Sequence, residues 1–561
     1  MPRLAEFDPA AVTGPEAFQR WLAALPEEGA DRLMSIGRLL VRFGHRETQI
    51  DVFVAMLEQL RLVLLPAVDE CLAPVEGRQI PYGADAWRRL ADALTTMRAL
   101  RTMYRRAAAR LTREPASESA APAAAASAPP PTDHGVDEPV RRALPLIRAL
   151  DLQSRILSIL LLHRVVPLPE DWDEFCALGR HARATGLLDA QVPDALPLVR
   201  PLTARALFVY PLLLRLAGIP ARSRDDAAAA ARLASRIAAQ IGFRVDAGAA
   251  KPNPWGPVLA LTEAWCVRLD THHIPRLLAR RREQAPAGAG GPSHPTDSAL
   301  ALLAELERRW TGEAGATRPP SPFASDDAVH GVLRFGLPRR GESSGRHPGQ
   351  PAGSAEAGYV FGQWERNTIV RLSMAVGADT AEPGAFDPRA AAEPARFRPD
   401  AEGRMHVERS LMLPPAPLGG LVALRFAEPP VPGGSGRPGA PAGGAVVRLA
   451  TVQSVEQLVA PGYERIRGHR LAVAPWPGRA LAVGLRLGAA RYFDDAWLLR
   501  GQPGDAAVRE TLVTAPGLAA AGGRAVLRED GHDRPIRFTT ALESGPGFER
   551  IGFAVDDVVA G

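Results

Sequence analysis

Lysine is almost missing from this chain: of 67 basic residues one, Lys251, is a lysine, and it stands in AAKPNPW. A phosphate-binding P-loop needs a lysine directly after its second glycine, so that route to nucleotide chemistry is excluded. Cysteine is scarce as well. Cys71, Cys176 and Cys266 are odd in number, far apart and without a CxxC pair, which argues against a zinc ribbon or thiol exchange and fits a reduced compartment. The longest apolar runs, between Arg155 and His163 and from Leu207 to Leu216, are too short to span a bilayer. The opening MPRLAEFDPAAV carries Asp and Glu where a signal peptide has an apolar core, so a cytoplasmic location without a membrane span is expected. Aromatic residues make up 6%, and a net charge of +5 over 561 residues, with no arginine-rich helix interleaved with exposed aromatics, leaves nucleic acid outside the expected partners.

What is present is an ordinary globular composition, 46% hydrophobic and 23% charged, in a chain longer than one core normally supports. Two or more domains are expected. Apolar residues recur at helical spacing from Pro15 to Arg113: Phe18, Trp21, Leu22 and Leu25 form one stripe, and Trp87, Leu90, Leu94 and Met97 another. A third runs through Val52, Met56, Leu57, Leu60 and Leu64, and Pro66 is expected to stop it. Residues 1–114 thus read as a helical domain and 115–139, built of Ala, Pro and Ser, as an extended linker. Helical stripes return in a second helical domain, 140–311, with Ile147, Leu150, Ile156, Leu157, Leu160 and Leu161, then Asp225 to Ile241 and Ala299 to Trp310.

Beyond Trp310 the grammar changes. Gly and Pro punctuate a loop-rich region, 312–445, that begins the β domain, with low-complexity stretches at 339–358, 377–403 and 428–444. Short β-branched or alternating runs then fill a β-rich domain, 446–561: Val446 to Val452, Leu481 to Leu487, Ala496 to Arg500, Thr511 to Thr514, Arg524 to Arg528, Ile536 to Thr540 and Glu549 to Val555. Their spacing suits a small antiparallel barrel or sandwich. The fold class is α+β multidomain, an all-α amino-terminal region followed by a β-rich carboxy-terminal one.

Catalytic chemistry is hard to find. Gly341, Ser343 and Gly345 spell GxSxG, but no apolar strand precedes the serine and no helix follows, so the strained elbow of a hydrolase is not expected there. His272 and His273 are neighbours whose side chains diverge and cannot chelate one metal without a donor from elsewhere; they read as a helix start after Asp270 and Thr271. The acid pairs Asp225 and Asp226, Asp494 and Asp495, and Asp556 and Asp557 read as turns or helix starts. No catalytic and no metal-binding residue is assigned, and the chain is not expected to be an enzyme. Guanidinium groups remain, because an arginine fork binds phosphate bidentately. Arg276 and Arg280 fit RxxxR on a solvated helix end, Arg318 stands alone in TRPPSPF, and Arg396, Arg398, Arg404 and Arg409 next to Ser410 lie at the entrance to the β-rich region.

The opening EAFQRWLAALP with MLEQLRLVLLPAVDECL, and then in order LDTHHIPRLLARRREQ, LLAELERRW, PLGGLVALRF, RALAVGLRL, DDAWLLRG, ETLVTAPG and FTTALESGPGFERIGF, resemble large bacterial proteins in which a helical region precedes a PilZ-type domain. That resemblance implies a small β-barrel receptor for cyclic di-GMP, bound by an RxxxR stretch and a later [D/N]xSxxG. Here Glu408, Arg409 and Ser410 take the place of the second motif, but Leu413 stands where the family has Gly, and the upstream Arg396 and Arg398 are separated by one residue rather than three. The ligand-binding candidates carried over are therefore Arg396, Arg398, Arg409 and Ser410, in a degenerate site. The resemblance implies a non-enzymatic bacterial regulatory or scaffolding protein with a protein partner and cyclic di-GMP as at most a weak ligand. A receptor that still binds cyclic di-GMP through altered arginines, and an unrelated helical and β scaffold, are the alternatives.

Overall fold

The computed structural model describes residues 15–43, 49–76, 82–113, 138–192, 203–247, 255–283, 297–312, 329–335, 393–400, 403–410, 416–427, 445–488, 493–501, 510–518, 520–529 and 531–556, with positions 78, 80, 194 and 490. The 115–137 part of the expected linker, Arg318, Ser343 and the stretches 339–358, 377–392 and 428–444 lie outside the described residues. The described chain divides into two compact units, residues 1–319 with 454–470 and residues 320–453 with 471–561.

The first unit is helical. Its helices are α1 (Pro15–Ala23), α2 (Gly29–Phe43), α3 (Ile50–Leu72), α4 (Ala84–Arg113), α5 (Glu138–Leu162), α6 (Pro169–Ala184), α7 (Ala204–Ala217), α8 (Arg224–Ile237), α9 (Ile274–Glu283) and α10 (Asp297–Thr311). The expected stripes face one core: Phe18, Leu57, Leu60, Leu64, Leu90, Leu94 and Met97 are buried together with Ile147, Leu150, Ile156 and Leu160. At α7 and α8 the structure uses the N-capping residues the sequence offers, whereas the Thr271 hydroxyl ahead of α9 makes no cap hydrogen bond among the described residues. Thr203 accepts from the Ala206 amide at 3.2 Å and Ser223 from Asp226 at 3.1 Å, and Asp225 and Asp226 occupy the first turn of α8 as expected of helix-start acids. Gly218, at φ 66°, closes α7 in the left-handed conformation that glycine adopts without strain.

Pro66 does not stop its helix. α3 continues to Leu72 with the proline inside it, at the cost of a missing N–H, because Leu64, Leu65, Ala67 and Val68 on either side are buried. Tertiary packing overrides the local signal, as it does at Pro145 in α5 and Pro211 in α7. The helical block also contains a sheet that periodicity did not reveal. The strands β1 (Gly242–Ala247), β2 (Val258–Ala260) and β3 (Trp265–Asp270) pair in the order β1-β3-β2, with Gly242 opposite Asp270 and Val245 opposite Val267. Phe208 of α7 is stacked between Phe243 of β1 (4.2 Å) and Phe175 of α6 (4.4 Å). The 18 residues Ala204–Ala221 are long and apolar enough to cross a membrane by composition, yet α7 is a core element in which Phe208, Val209, Leu212, Leu213 and Leu214 are fully buried.

The second unit holds two closed six-stranded antiparallel barrels. β4 (Val329–Phe335), β5 (Glu393–Pro399), β6 (Met405–Ser410), β7 (Leu421–Ala427), β8 (Ala445–Val459) and β9 (Ile466–Pro475) close in the order β4-β5-β6-β9-β8-β7. β10 (Arg479–Leu487), β11 (Asp494–Arg500), β12 (Thr511–Thr514), β13 (Arg524–Glu529), β14 (His532–Gly545) and β15 (Phe548–Val555) close in the order β10-β11-β12-β15-β14-β13. Every strand expected from the sequence is present, but the region read as loops also supplies four strands of a second barrel. Val483, Leu485, Leu498, Leu512, Leu527, Ile536, Phe538 and Ile551 fill the later barrel, and Leu421 and Leu449 share an apolar cluster with Trp476, Trp497, Val513 and Phe548.

Candidate functional site

The arginine candidates lie in the first barrel. β5 pairs with β6 so that Phe397 faces Val407, Arg398 faces His406 and Pro399 faces Met405. Successive side chains of a strand point to opposite faces. Phe397, Met405 and Val407 are buried, and Arg409, two positions beyond Val407, is buried with them at 5% exposure. Arg398 and Glu408 are exposed on the opposite face. Arg398 and Arg409 therefore leave the hairpin from different sides. Arg396 stands opposite His330 in the ladder of β4 and β5, and Ser410 is the last residue of β6.

The turn that joins these strands ties up the neighbouring cation. Asp400 accepts hydrogen bonds from the Arg404 amide (2.9 Å), from Arg404 Nε (2.7 Å) and from His406 Nε2 (2.9 Å). Burial alone would raise the Asp400 carboxyl, but these donors hold it well below the usual carboxylate range. The hairpin is thus braced by an ionic turn that engages Arg404.

Most of the β-region segments that carry the resemblance belong to the other barrel: RALAVGLRL is β10, DDAWLLRG contains β11, ETLVTAPG contains β12, and FTTALESGPGFERIGF spans β14 and β15. Arginines there have acidic partners. Arg528 holds Asp533 through two bonds (2.6 and 2.9 Å), Arg500 holds Glu510 and Glu529, and Arg534 holds Glu510. Phe493 lies under the guanidinium groups of Arg486 (5.0 Å) and Arg528 (3.9 Å). The candidate ligand residues and these resemblance segments thus lie in two different barrels.

Sequence reasoning missed a polar clasp inside the helical unit. The tip of the β8–β9 hairpin, residues 454–470, belongs to that unit, and Val459, Tyr463 and Ile466 join its core. Gln457, fully buried, accepts from the Tyr82 amide (2.9 Å), donates to the His163 carbonyl (3.2 Å) and bridges to Val165. The Tyr463 hydroxyl donates to Asp171 (2.6 Å) and accepts from the Leu168 amide (2.9 Å). Arg98 grips the same Asp171 through three bonds of 3.0–3.1 Å and lies 4.2 Å over the Tyr463 ring. Burial, and then the Asp171 charge, push the Tyr463 hydroxyl far above its ordinary range. Tyr82 is bonded to His163 Nδ1 at 2.8 Å, and burial lowers that imidazole to about 4. No local pattern marks Gln457 or Tyr463, since their partners lie about 290 or more positions away.

A second buried network lies between α3, α4 and α5. Arg61 and Arg148, both fully buried, each hold Asp194 (2.6 and 2.7 Å), and Arg148 also holds Glu58, to which Tyr104 donates at 2.6 Å. This one left a readable trace: Arg61 sits at the helical spacing of Leu57 and Leu64, a charge within an apolar stripe. Both arginines have ionic partners, and removing one partner of such a buried pair costs more than the pair adds over apolar packing.

The described chain is a helical domain followed by two closed antiparallel barrels. Residues 16–247 match the family model of the cyclic-di-GMP receptor FimW, N-terminal domain, so the helical part of the chain is similar to that domain. The match covers less than half of the chain, and the barrels that follow are consistent with a PilZ-like fold. Neither the curated proteins nor the solved structures contain a match.

Proposed function

We propose that this is a non-enzymatic bacterial signalling protein of the cyclic di-GMP network that works in the cytoplasm through protein contacts, its own nucleotide site being degenerate. The observation that carries the reading is the match of residues 16–247 to a receptor family and not to an enzyme family. The degenerate site rests on the hairpin geometry. Two phosphates are held by guanidinium groups that converge, whereas Arg398 is exposed and Arg409 buried on the other face of β5 and β6. Leu413 in place of a glycine adds a side chain where backbone and base would meet.

Charge-assisted hydrogen bonds are worth about 1.5–3 kcal/mol each. Losing two of them weakens binding by about a hundredfold or more, at 1.4 kcal/mol per factor of ten. The residual affinity depends on Arg396, Arg398, Arg409 and Ser410. The test is equilibrium dialysis of labelled cyclic di-GMP against the full chain and its Arg398→Ala, Arg409→Ala double variant: weak binding that drops further in the variant supports the placement, and unchanged binding places the site elsewhere.

A further inference from the structure

We propose that Asp270, His272 and His273 form a binding site for a divalent transition-metal ion such as zinc, nickel or copper. The turn from β3 into α9 brings one donor atom of each residue to within 4.8 Å of the other two. Adjacent histidines diverge on a regular element, but here the chain leaves a strand and enters a helix between Asp270 and Ile274, so both rings fall on the side of the Asp270 carboxylate. The donor from elsewhere that the pair requires is Asp270, two residues upstream. Its carboxylate is hydrogen-bonded to His272 Nδ1. His273 Nε2 is buried and has no hydrogen-bond partner among the described residues, an orphan that a metal would satisfy.

The scaffold is rigid where it matters. Asp270 is fixed by its place opposite Gly242 in the sheet, and Thr271, fully buried, donates its amide to the Trp255 carbonyl at 2.9 Å. Gly256, at φ 154°, seals the turn: a Cβ there would come within 2.3 Å of Thr271 Oγ1 and 2.6 Å of the Leu269 carbonyl. His272 is 55% exposed and Asp270 46% exposed, so their side chains are free to rotate and close the gap, at most about 1.5 Å, that separates the observed spacing from the ~3.3–3.5 Å edges of a tetrahedral site. Two imidazoles and one carboxylate are a borderline donor set. They favour zinc, nickel or copper over magnesium or calcium, which take oxygen ligands. Three protein donors leave a fourth position open to water or an exogenous ligand.

Trp255 supplies an internal reporter. It is 60% exposed, and its ring centroid lies 5.7 Å from that of His272. A paramagnetic ion held by His272 quenches an indole at this distance.

The experiment is calorimetric titration of the metal-free full chain with zinc, paired with copper quenching of tryptophan fluorescence. The expected results are one zinc ion per chain, affinity weakened at least about tenfold in His272→Ala and in His273→Ala separately, since even an outer-shell partner of a metal site is worth that much, and a quenching component that vanishes in Trp255→Phe while zinc stoichiometry is kept. His272→Ala, at an exposed position, leaves the fold intact by circular dichroism. Zinc binding that is absent, or that is unchanged in both histidine variants, overturns the proposal, as does quenching that survives in Trp255→Phe.

Discussion

At the scale of single residues, the core of the helical unit has places where one atom decides the packing. Gly179 on α6 lies so close to α7 that a Cβ would come within 2.1 Å of the buried Phe208 ring, which is itself stacked between Phe175 and Phe243. Gly179→Ala is expected to destabilise the unit by about 1–3 kcal/mol, the usual penalty of overpacking a filled core, and thermal unfolding checks it. His163 gives a pH-dependent counterpart. A base whose folded pKa is depressed, here to about 4, binds fewer protons folded than unfolded. Its stabilisation is present in full above the unfolded range and is lost as pH falls from about 6.5 toward 4, by up to about 3 kcal/mol. Denaturant midpoints of the helical unit should fall across that window, and His163→Gln should flatten the fall. An unchanged slope in the variant would place the titration in other groups. None of this was legible in sequence, because Gly179 in α6 and His163 in the turn after α5 carry no local mark and owe their roles to partners on other elements.

At the scale of elements, periodicity was a good guide where one face of a helix meets one core, and the stripes through Phe18, Leu90 and Leu150 were placed correctly. It failed where tertiary packing offsets a local cost. Pro66 is exposed within α3, and its missing N–H leaves the Leu62 carbonyl without a helical donor. Pro66→Ala is expected to stabilise the helical unit by about 2 kcal/mol, the helix penalty of proline less the entropy it removes from the unfolded chain. A thermal midpoint that drops instead would mean that the proline shapes α3. The strands of the later barrel were readable as alternating runs between turns, whereas β4 to β7 were not, because the Gly- and Pro-rich composition of 312–445 that surrounds them reads as loop. β1 to β3 were missed for a similar reason: three strands of three to six residues between helices carry too few alternations to register as a sheet.

For the whole molecule, the central feature is a hairpin whose strands begin in the first barrel and whose tip, residues 454–470, is part of the helical unit. Tyr463→Phe removes the hydroxyl that satisfies both Asp171 and the Leu168 amide, a cost of about 1–3 kcal/mol for the groups left unpaired. Hydrogen exchange should then accelerate around residues 165–171 and leave β10 to β15 unaffected; acceleration throughout would show that the tip is not a local clasp. Of the candidate ligand site, sequence reasoning named arginines whose chemistry suits phosphate but could not tell that Arg398 and Arg409 would leave β5 and β6 on opposite faces, since strand register is settled only by pairing. That geometry is the core of the functional account, and calorimetric titration of the full chain with cyclic di-GMP tests it most directly. The account predicts a dissociation constant at least about a hundredfold weaker than that of a converging guanidinium site, and a sub-micromolar constant would contradict it.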